Sequence, residues 1–193
     1  LLCAGAIGYR SLALAGIESG QSLGLTGFGA SAHLVLQMAR HRYPDSPVMV
    51  FARSQQQRRF ALELGAVWAG ETAAPPPRLL DAIVDTTPAW QPVVAAMESL
   101  APGGRLVINA IRKENTDQGC LLELDYPIHL WMEKEIKSVA NVTRHDVAAF
   151  LDLAADIPIV PETRTYPLAD ANKALVDLKR GDGRGAKVLD ITA

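Results

Sequence analysis

Leu23-Gly24-Leu25-Thr26-Gly27-Phe28-Gly29-Ala30-Ser31-Ala32 is the stretch on which the reading of this chain turns. It reads as a short buried strand, a glycine turn, and a helix running from about Ala30 to His41. Gly27, Gly29 and Ala32 form the pattern G-x-G-x-x-A, in which each position has its own physical task. Gly27 lets the chain turn sharply out of the strand. Gly29 has no side chain, so a pyrophosphate can approach the backbone. Ala32 is small enough for the helix to pack tightly on the strand. The helix start offers unpaired N–H groups and a partial positive charge to an anion. Glycine turns of this kind also occur with no ligand. The strand before it, the helix after it and the alternation beyond make Gly27, Phe28, Gly29, Ala30, Ser31 and Ala32 a candidate dinucleotide-binding turn.

Working outward, the alternation continues. Val48-Met49-Val50-Phe51 is an unbroken apolar run, the mark of a strand buried on both faces of a parallel sheet. The spacing predicts a helix from Gln55 to Leu64 closed by Gly65. A short strand at Ala66-Val67-Trp68 and a rigid linker at Ala73-Ala74-Pro75-Pro76-Pro77 follow. Asp81-Ala82-Ile83-Val84-Asp85 is a third buried strand and Gln91 to Leu100 a helix. Ala101-Pro102-Gly103-Gly104 turns the chain into a fourth strand, Arg105-Leu106-Val107-Ile108-Asn109-Ala110. Lys113 to Gln118 is a polar loop, Ile128 to Lys134 a short helix, Ile136 to Ala140 a strand, and Asp146 to Ala155 a helix. Upstream, apolar residues recur at helical spacing from Ile7, and Gly16 is the stop. From Pro158 the character changes. Val160 to Tyr166 is extended, with prolines that suit an edge strand. An amphipathic helix from Leu168 to Lys179, a glycine-rich loop from Arg180 to Gly185 and a strand from Lys187 to Ile191 complete the chain. The expected fold is α/β, a doubly wound parallel sheet over residues 1–157, with a strand-helix-strand piece of a second domain over 158–193.

In such sheets ligands lie at the carboxyl ends of the strands, near the switch in strand order. That rule aligns the Gly27 turn, Ala52-Arg53-Ser54, Thr86-Thr87 and Ala110-Ile111 along one crevice. The residues after the second strand bear on the cofactor, because NAD enzymes usually place an Asp or Glu there and NADP enzymes often an arginine. Here Ala52 has no acceptor in its side chain. Arg53 is planar and cationic, suited to a pair of phosphate oxygens. Ser54 adds a hydroxyl, and Arg58 lies one helical turn beyond it. The expectation is NADP in preference to NAD, against a reading of Arg53 and Arg58 as solvated surface charges. His33 is expected to be a packed or capping histidine, His129 and Cys120 structural, His145 solvent-facing, and Asp146 a cap for the helix it opens.

The chain has 193 residues, about half of them apolar and a fifth charged, with a net charge of −2. That is enough for a substantial core. No basic run suggests a nucleic-acid partner, and no stretch is long and apolar enough to span a membrane. Two cysteines, Cys3 and Cys120, cannot form a disulfide framework or a self-contained zinc site, so a reducing, cytoplasmic setting is expected. The chain opens Leu1-Leu2-Cys3 without a methionine, and the expectation is that something precedes it.

Several pieces, in order, resemble the medium-chain, zinc-dependent alcohol dehydrogenases over nearly the whole chain. They are Leu2-Cys3-Ala4-Gly5 leading into Gly8-Tyr9-Arg10, Gly27-Phe28-Gly29-Ala30-Ser31-Ala32-His33, Leu64-Gly65-Ala66 and Ala101-Pro102-Gly103-Gly104-Arg105. The tail adds Tyr166-Pro167-Leu168-Ala169-Asp170-Ala171-Asn172 and Gly185-Ala186-Lys187-Val188-Leu189. The resemblance implies a Rossmann sheet, a nicotinamide cofactor, an alcohol interconverted with an aldehyde or ketone, and a dimer or tetramer joined through sheet edges. It makes Cys3 the last ligand of a catalytic zinc held by two cysteines and a histidine; the residue by itself reads as a small buried apolar side chain. It places Ala110-Ile111 and Ala140-Asn141-Val142 beside the nicotinamide. It brings Arg144 toward the phosphates, where the residue alone reads equally as a surface charge.

The departures are informative. The GroES-like catalytic domain that supplies the other zinc ligands has no counterpart in residues 1–193. Ile7 stands where family members often carry a hydroxyl, and the acidic residue after the second strand is missing. The expectation is that this chain alone binds no catalytic zinc and turns over no alcohol. Two other readings compete. Leu100 to Val107 also resembles the late strand of S-adenosylmethionine-dependent methyltransferases, and a non-catalytic nucleotide-binding module fits the same turn.

Overall fold

Apolar runs flanked by glycine or proline set out a six-stranded, wholly parallel sheet: β1 (Leu23–Thr26), β2 (Val48–Phe51), β3 (Trp68–Gly70), β4 (Leu80–Asp85), β5 (Leu100–Ile108) and β6 (Glu135–Ser138). Their order is β3-β2-β1-β4-β5-β6, so the winding reverses between β1 and β4. The structure is a computed structural model and describes residues 2–181 and 184–192. The helices are α1 (Leu2–Ala15), α2 (Ala32–Arg42), α3 (Gln55–Glu63), α4 (Gln91–Glu98) and α5 (Arg144–Asp156). The expected doubly wound α/β fold is borne out.

Side chains alternate across each strand, and the two sets feed two cores. Leu25, Val48, Val50, Val84 and Val107 pack with Leu12, Leu36, Phe60 and Phe150 from α1, α2, α3 and α5. Met49, Phe51, Ile83, Leu106 and Ile108 pack with Val93 and Met97 of α4 on the other face. The strands therefore read as continuous apolar runs, because both faces are covered. Beyond them, β7 (Thr163–Pro167), α6 (Ala171–Arg180) and β8 (Ala186–Asp190) form a unit of their own, in which β7 and β8 pair in parallel. Residues 182 and 183 of the expected glycine-rich loop lie outside the described residues. No helix among the described residues is long and apolar enough to cross a membrane.

Several boundaries differ from expectation, each for a local reason. The first helix begins at Leu2, well before Ile7, because a small residue seats it: a Cβ added to Gly5 would lie 2.1 Å from Cζ of Phe150, which is fully buried on α5. The third strand shifts from Ala66-Val67-Trp68 to β3, because the Ala66 N–H donates back to the Ala61 carbonyl at 2.9 Å, and after a bond from the Val67 N–H to the Val48 carbonyl at 2.9 Å the register with β2 begins at Trp68, opposite Met49. The turn expected at Ala101-Pro102-Gly103-Gly104 is drawn into β5, where the pairing with β4 slips between Leu80 and Ala82. The helix expected over Ile128 to Lys134 is one wide turn, Tyr126–Leu130. It stops because Met132 and Glu133 take left-handed φ of 70° and 62°, and Lys134 Nζ donates to the Ile128 and Met97 carbonyls at 2.9 Å each.

The helix placed at Asp146 starts at Arg144. Thr143 is its cap, with Oγ1 accepting from the Asp146 N–H at 3.1 Å while the Asp146 carboxylate accepts from the Thr143 N–H at 2.7 Å. Asp146 thus caps reciprocally from the third helical position. The same carboxylate accepts from Arg10 on α1 at 2.8 Å. Burial works to raise its pKa, but the Thr143 bonds and Arg10 outweigh that and hold it below the ordinary carboxylate range.

Two measurements check this packing. Replacing Gly5 with Ala gains about 1 kcal/mol of helix propensity, yet the collision with Phe150 costs more, so Gly5→Ala is expected to lose about 1–3 kcal/mol net in urea denaturation. Wild type should exceed Asp146→Asn in stability above about pH 5. Because the folded pKa is depressed, that advantage begins to fade as pH falls below the ordinary aspartate value of about 3.9 and is lost as pH falls through the lower folded pKa, which a denaturation series from pH 7 downward measures.

Candidate nucleotide-binding cleft

At the end of β1 the chain turns on Gly27, with φ of +75°. The Gly27 N–H donates to the Phe51 carbonyl at 2.8 Å, tying the turn to β2. A Cβ here would lie 2.9 Å from Thr87 Cγ2 and 3.0 Å from Thr86 Oγ1, so glycine is required both for the φ and for the space. Gly29 differs. A Cβ there meets nothing within 4 Å, so its bare face looks into open space at the start of α2. That space is a cleft of about 510 Å³ between the glycine turn, the β2–α3 turn, the start of α4 and the loop after β5. A helix start bordering such a space attracts an anion through its unpaired N–H groups.

The floor beside the turn is built around Asp85, the last residue of β4, with no solvent exposure. Its Oδ1 accepts from Thr26 Oγ1 at 2.6 Å, Thr87 Oγ1 at 2.7 Å and the Thr87 N–H at 3.3 Å. Its Oδ2 pairs with Lys113 Nζ, which also donates to the Thr87 and Ala89 carbonyls at 2.8 Å each. Sequence reasoning took Asp85 as the end of a strand and Lys113 as the start of a polar loop. The available signal was a carboxylate closing an otherwise apolar buried strand, which demands a partner. On the same loop, Asp117 Oδ2 accepts from the Trp90 and Gln91 N–H groups at 2.8 Å each and so caps α4 from outside it.

Of the expected site residues, Gly27, Phe28, Gly29, Ala30, Ser31, Arg53 and Thr86 line this one cleft. Ala32 lies beneath it, fully buried, where α2 meets the sheet. Ser54 opens α3 without a side-chain cap bond and is not among the lining residues. Arg58 is committed elsewhere. It donates to the Ala52 and Arg53 carbonyls at 2.8 Å each and lies 3.5 Å from Glu71, so it fixes the turn that carries Arg53. Ala110 packs against the α4 core and Ile111 is 99% exposed; neither lines the cleft. Val142 packs against the other core and Arg144 is exposed at the start of α5, both outside the lining. Cys3 is exposed on the first turn of α1, not buried as its residue type alone suggests. Among the described residues no group of three His, Cys, Asp or Glu is placed to hold a metal, so Cys3 alone does not make a zinc site.

The glycine turn has a second open side. A hollow of about 410 Å³ is shared between Phe28, Gly29, Ala30 and Gln57 and the C-terminal Leu178, Gly181, Gly185, Ala186 and Lys187. Sequence reasoning did not connect Lys187 with the turn, because the two are far apart along the chain. His33 is buried as expected, 1% exposed. Its Nδ1 lies 3.0 Å from the Gly29 carbonyl, and its Nε2 accepts from the Glu162 N–H at 3.3 Å. Burial lowers its pKa against the opposing effects of the Gly29 carbonyl and the Glu162 charge. His129, expected to be structural, is buried, and His145 is exposed as expected.

The strand order, the reversal between β1 and β4 and the glycine turn at that reversal define a Rossmann-type α/β domain. No family model matches the chain. It is 43% identical to a protein named "Probable alcohol dehydrogenase AdhA" from Mycobacterium tuberculosis, over 189 residues that make up 98% of this chain and 53% of that protein. It superposes on a cinnamyl alcohol dehydrogenase of Sorghum bicolor with a TM-score of 0.79 at 25% identity, covering 100% of this chain and 54% of that one. A third match, to the structure titled CAD from Helicobacter pylori complexed with NADP(H), has a TM-score of 0.82 at 20% identity, with 100% and 54% covered, and speaks for the fold alone. The kinship with the medium-chain, zinc-dependent alcohol dehydrogenases is borne out, and the chain spans about half the length of the relatives it matches.

Removing Lys113 tests the floor of the cleft. Lys113→Met leaves a buried carboxylate unpaired and is expected to cost about 3–5 kcal/mol in urea denaturation. The double variant Asp85→Asn/Lys113→Met should recover part of that loss, because no uncompensated charge remains.

Proposed function

We propose that the chain is the cofactor-binding part of a nicotinamide-dependent alcohol dehydrogenase that interconverts an alcohol with an aldehyde or ketone, and that it takes NADP(H) in preference to NAD(H). One observation carries the reading: the open face of Gly29 at the start of α2 and the exposed Arg53 after β2 line the same cleft. That pairing suits a dinucleotide, with diphosphate at the turn and the adenosine end toward Arg53. A guanidinium can meet a 2′-phosphate with two parallel hydrogen bonds, and Ala52 places no carboxylate there to repel it. The nicotinamide, when bound, supplies the hydride chemistry. This chain's residues hold the dinucleotide: the turn binds, and Asp85 with Lys113 keeps the turn's neighbours in place. The names of the Mycobacterium tuberculosis relative and the Sorghum bicolor neighbour support an alcohol dehydrogenase and give no support to a methyltransferase or a non-catalytic module.

The finer parts of the reading follow from this one. Residues 1–157 would be the dinucleotide domain and 158–193 part of a second domain, in keeping with the separate pairing of β7 with β8. Cys3 would contribute one thiolate to a zinc whose other ligands lie elsewhere in a longer protein. All four residues of β6 are exposed at the sheet edge, which suits pairing with a second copy in a dimer or tetramer. The two free thiols suit a reducing cytoplasm.

Titration calorimetry with NADPH and NADH tests the reading. NADPH should bind more tightly. Arg53→Ala should weaken NADPH by about 10- to 100-fold, that is about 1.4–2.8 kcal/mol, and leave NADH nearly unchanged. Equal or NADH-favoured affinity overturns the preference for NADP(H); no binding of either overturns the nucleotide reading itself.

A further inference from the structure

One imidazole touches both the glycine turn and the C-terminal segment. The Glu162 main-chain group facing His33 Nε2 is an N–H, so Nε2 must be the acceptor. Nδ1 then carries the proton and donates to the Gly29 carbonyl. Only the neutral ring in this one tautomer satisfies both partners. The next turn of α2 repeats the grip: the Gln37 carboxamide accepts from the Val160 N–H at 3.3 Å and faces the Val160 carbonyl at 3.5 Å. A third clip comes from Arg184, bound to Glu63 on α3 at 2.6 and 3.1 Å, with its guanidinium 4.9 Å from the Phe60 ring centre. Phe60 is also the ring beside His33, at 6.0 Å.

We propose that His33 is a positioning residue that couples the glycine turn to the C-terminal segment, so that a dinucleotide seated on the turn and the segment seated on α2 stabilise each other. The proposal rests on the nucleotide reading of the cleft and adds to it a route by which the second unit registers that the cleft is filled. With the Gly29 carbonyl held by the imidazole, the main chain of the turn is fixed in the orientation that presents its open face. A ligand that rigidifies the turn rigidifies the ring, and the ring holds Glu162. Linkage makes the effect reciprocal: whatever releases Glu162 weakens the dinucleotide by the same factor. Protonation is such a release, because an imidazolium has no acceptor for the Glu162 N–H. The charged groups around the ring are Glu162 itself and the Glu63-bound guanidinium of Arg184 over Phe60. Burial disfavours the charged ring, so the grip persists below the ordinary histidine range and fails as pH falls through the lowered pKa.

The test is hydrogen exchange at the Glu162 amide, read by NMR in the whole chain and corrected for the intrinsic chemical rate. In the free wild-type protein protection should persist below the ordinary histidine range and then fall several-fold as pH drops through the lowered His33 pKa. His33→Gln, which reaches Glu162 with a carbonyl that does not titrate, should keep protection independent of pH. His33→Asn, which reaches only Gly29, should exchange fast throughout. At pH 7.5 saturating NADPH should slow exchange at Glu162 at least threefold in wild type and leave it unchanged in His33→Asn. The same pH profile in wild type and His33→Gln, or equal protection by NADPH in wild type and His33→Asn, overturns the proposal. A wild-type chain that binds no NADPH overturns the nucleotide reading, and with it the coupling to a ligand, while the pH profiles of the free protein decide the His33 bridge by themselves.

Discussion

A carboxylate with no exposure to solvent sits at the carboxyl end of β4, in the middle of the sheet. Left alone there it would be untenable, since an unpaired buried charge costs several kcal/mol. Asp85 is tolerated because each of its oxygens is engaged, by two threonine hydroxyls and a main-chain N–H on one side and by Lys113 on the other. Those donors come from the end of β1, from the turn after β4 and from the loop after β5. Satisfying one charge therefore fixes three segments, and these are three walls of the cleft. Thr86 and Thr87, held by this arrangement, are also the residues that crowd Gly27. The shape of the glycine turn thus depends on a charge that never touches the space it frames.

Much of this was legible in the sequence, and the reasons are local. The sheet strands announce themselves because burial on both faces leaves unbroken apolar runs such as Val48 to Phe51. The glycine turn announces itself because two of its positions admit no Cβ or face a ligand-sized space. Arg53 could be placed by its distance from the second strand. What stayed hidden depends on partners distant in sequence. Lys113 meets Asp85 across 28 residues, and Glu162 meets His33 across 129. No periodicity encodes such pairings. The α1 start was misread for a related reason: helical spacing looks for large apolar residues, whereas Gly5 is fitted to the ring of Phe150 by what it lacks.

Arg53 and Arg58 show how one residue type divides its labour. From sequence they are two cations five residues apart, both suited to a phosphate. In the structure Arg58 spends its donors on the carbonyls of Ala52 and Arg53, and Arg53 stays exposed at the cleft rim. The first arginine stiffens the main chain from which the second projects. That matters because an exposed ion pair contributes only about 0–1 kcal/mol when a long side chain must be ordered to make it. Holding the backbone of Arg53 reduces that ordering cost without adding a contact to the ligand.

The same arithmetic separates affinity from choice. On the proposed reading, the diphosphate meets main-chain donors at the start of α2, which are already in place and whose helix dipole favours an anion. These donors treat any dinucleotide alike, since both nicotinamide cofactors carry the same diphosphate. Discrimination must come from the rim, where only the 2′-phosphate differs and where Arg53 is the cation lining the cleft. Glu114 and Asp117 line the same cleft from the loop after β5 and oppose excess negative charge there. A second phosphate is therefore welcome only near Arg53. If the proposal holds, the position of this single guanidinium, on main chain held by Arg58, is what would let a cleft built mostly of small and uncharged groups tell one cofactor from the other.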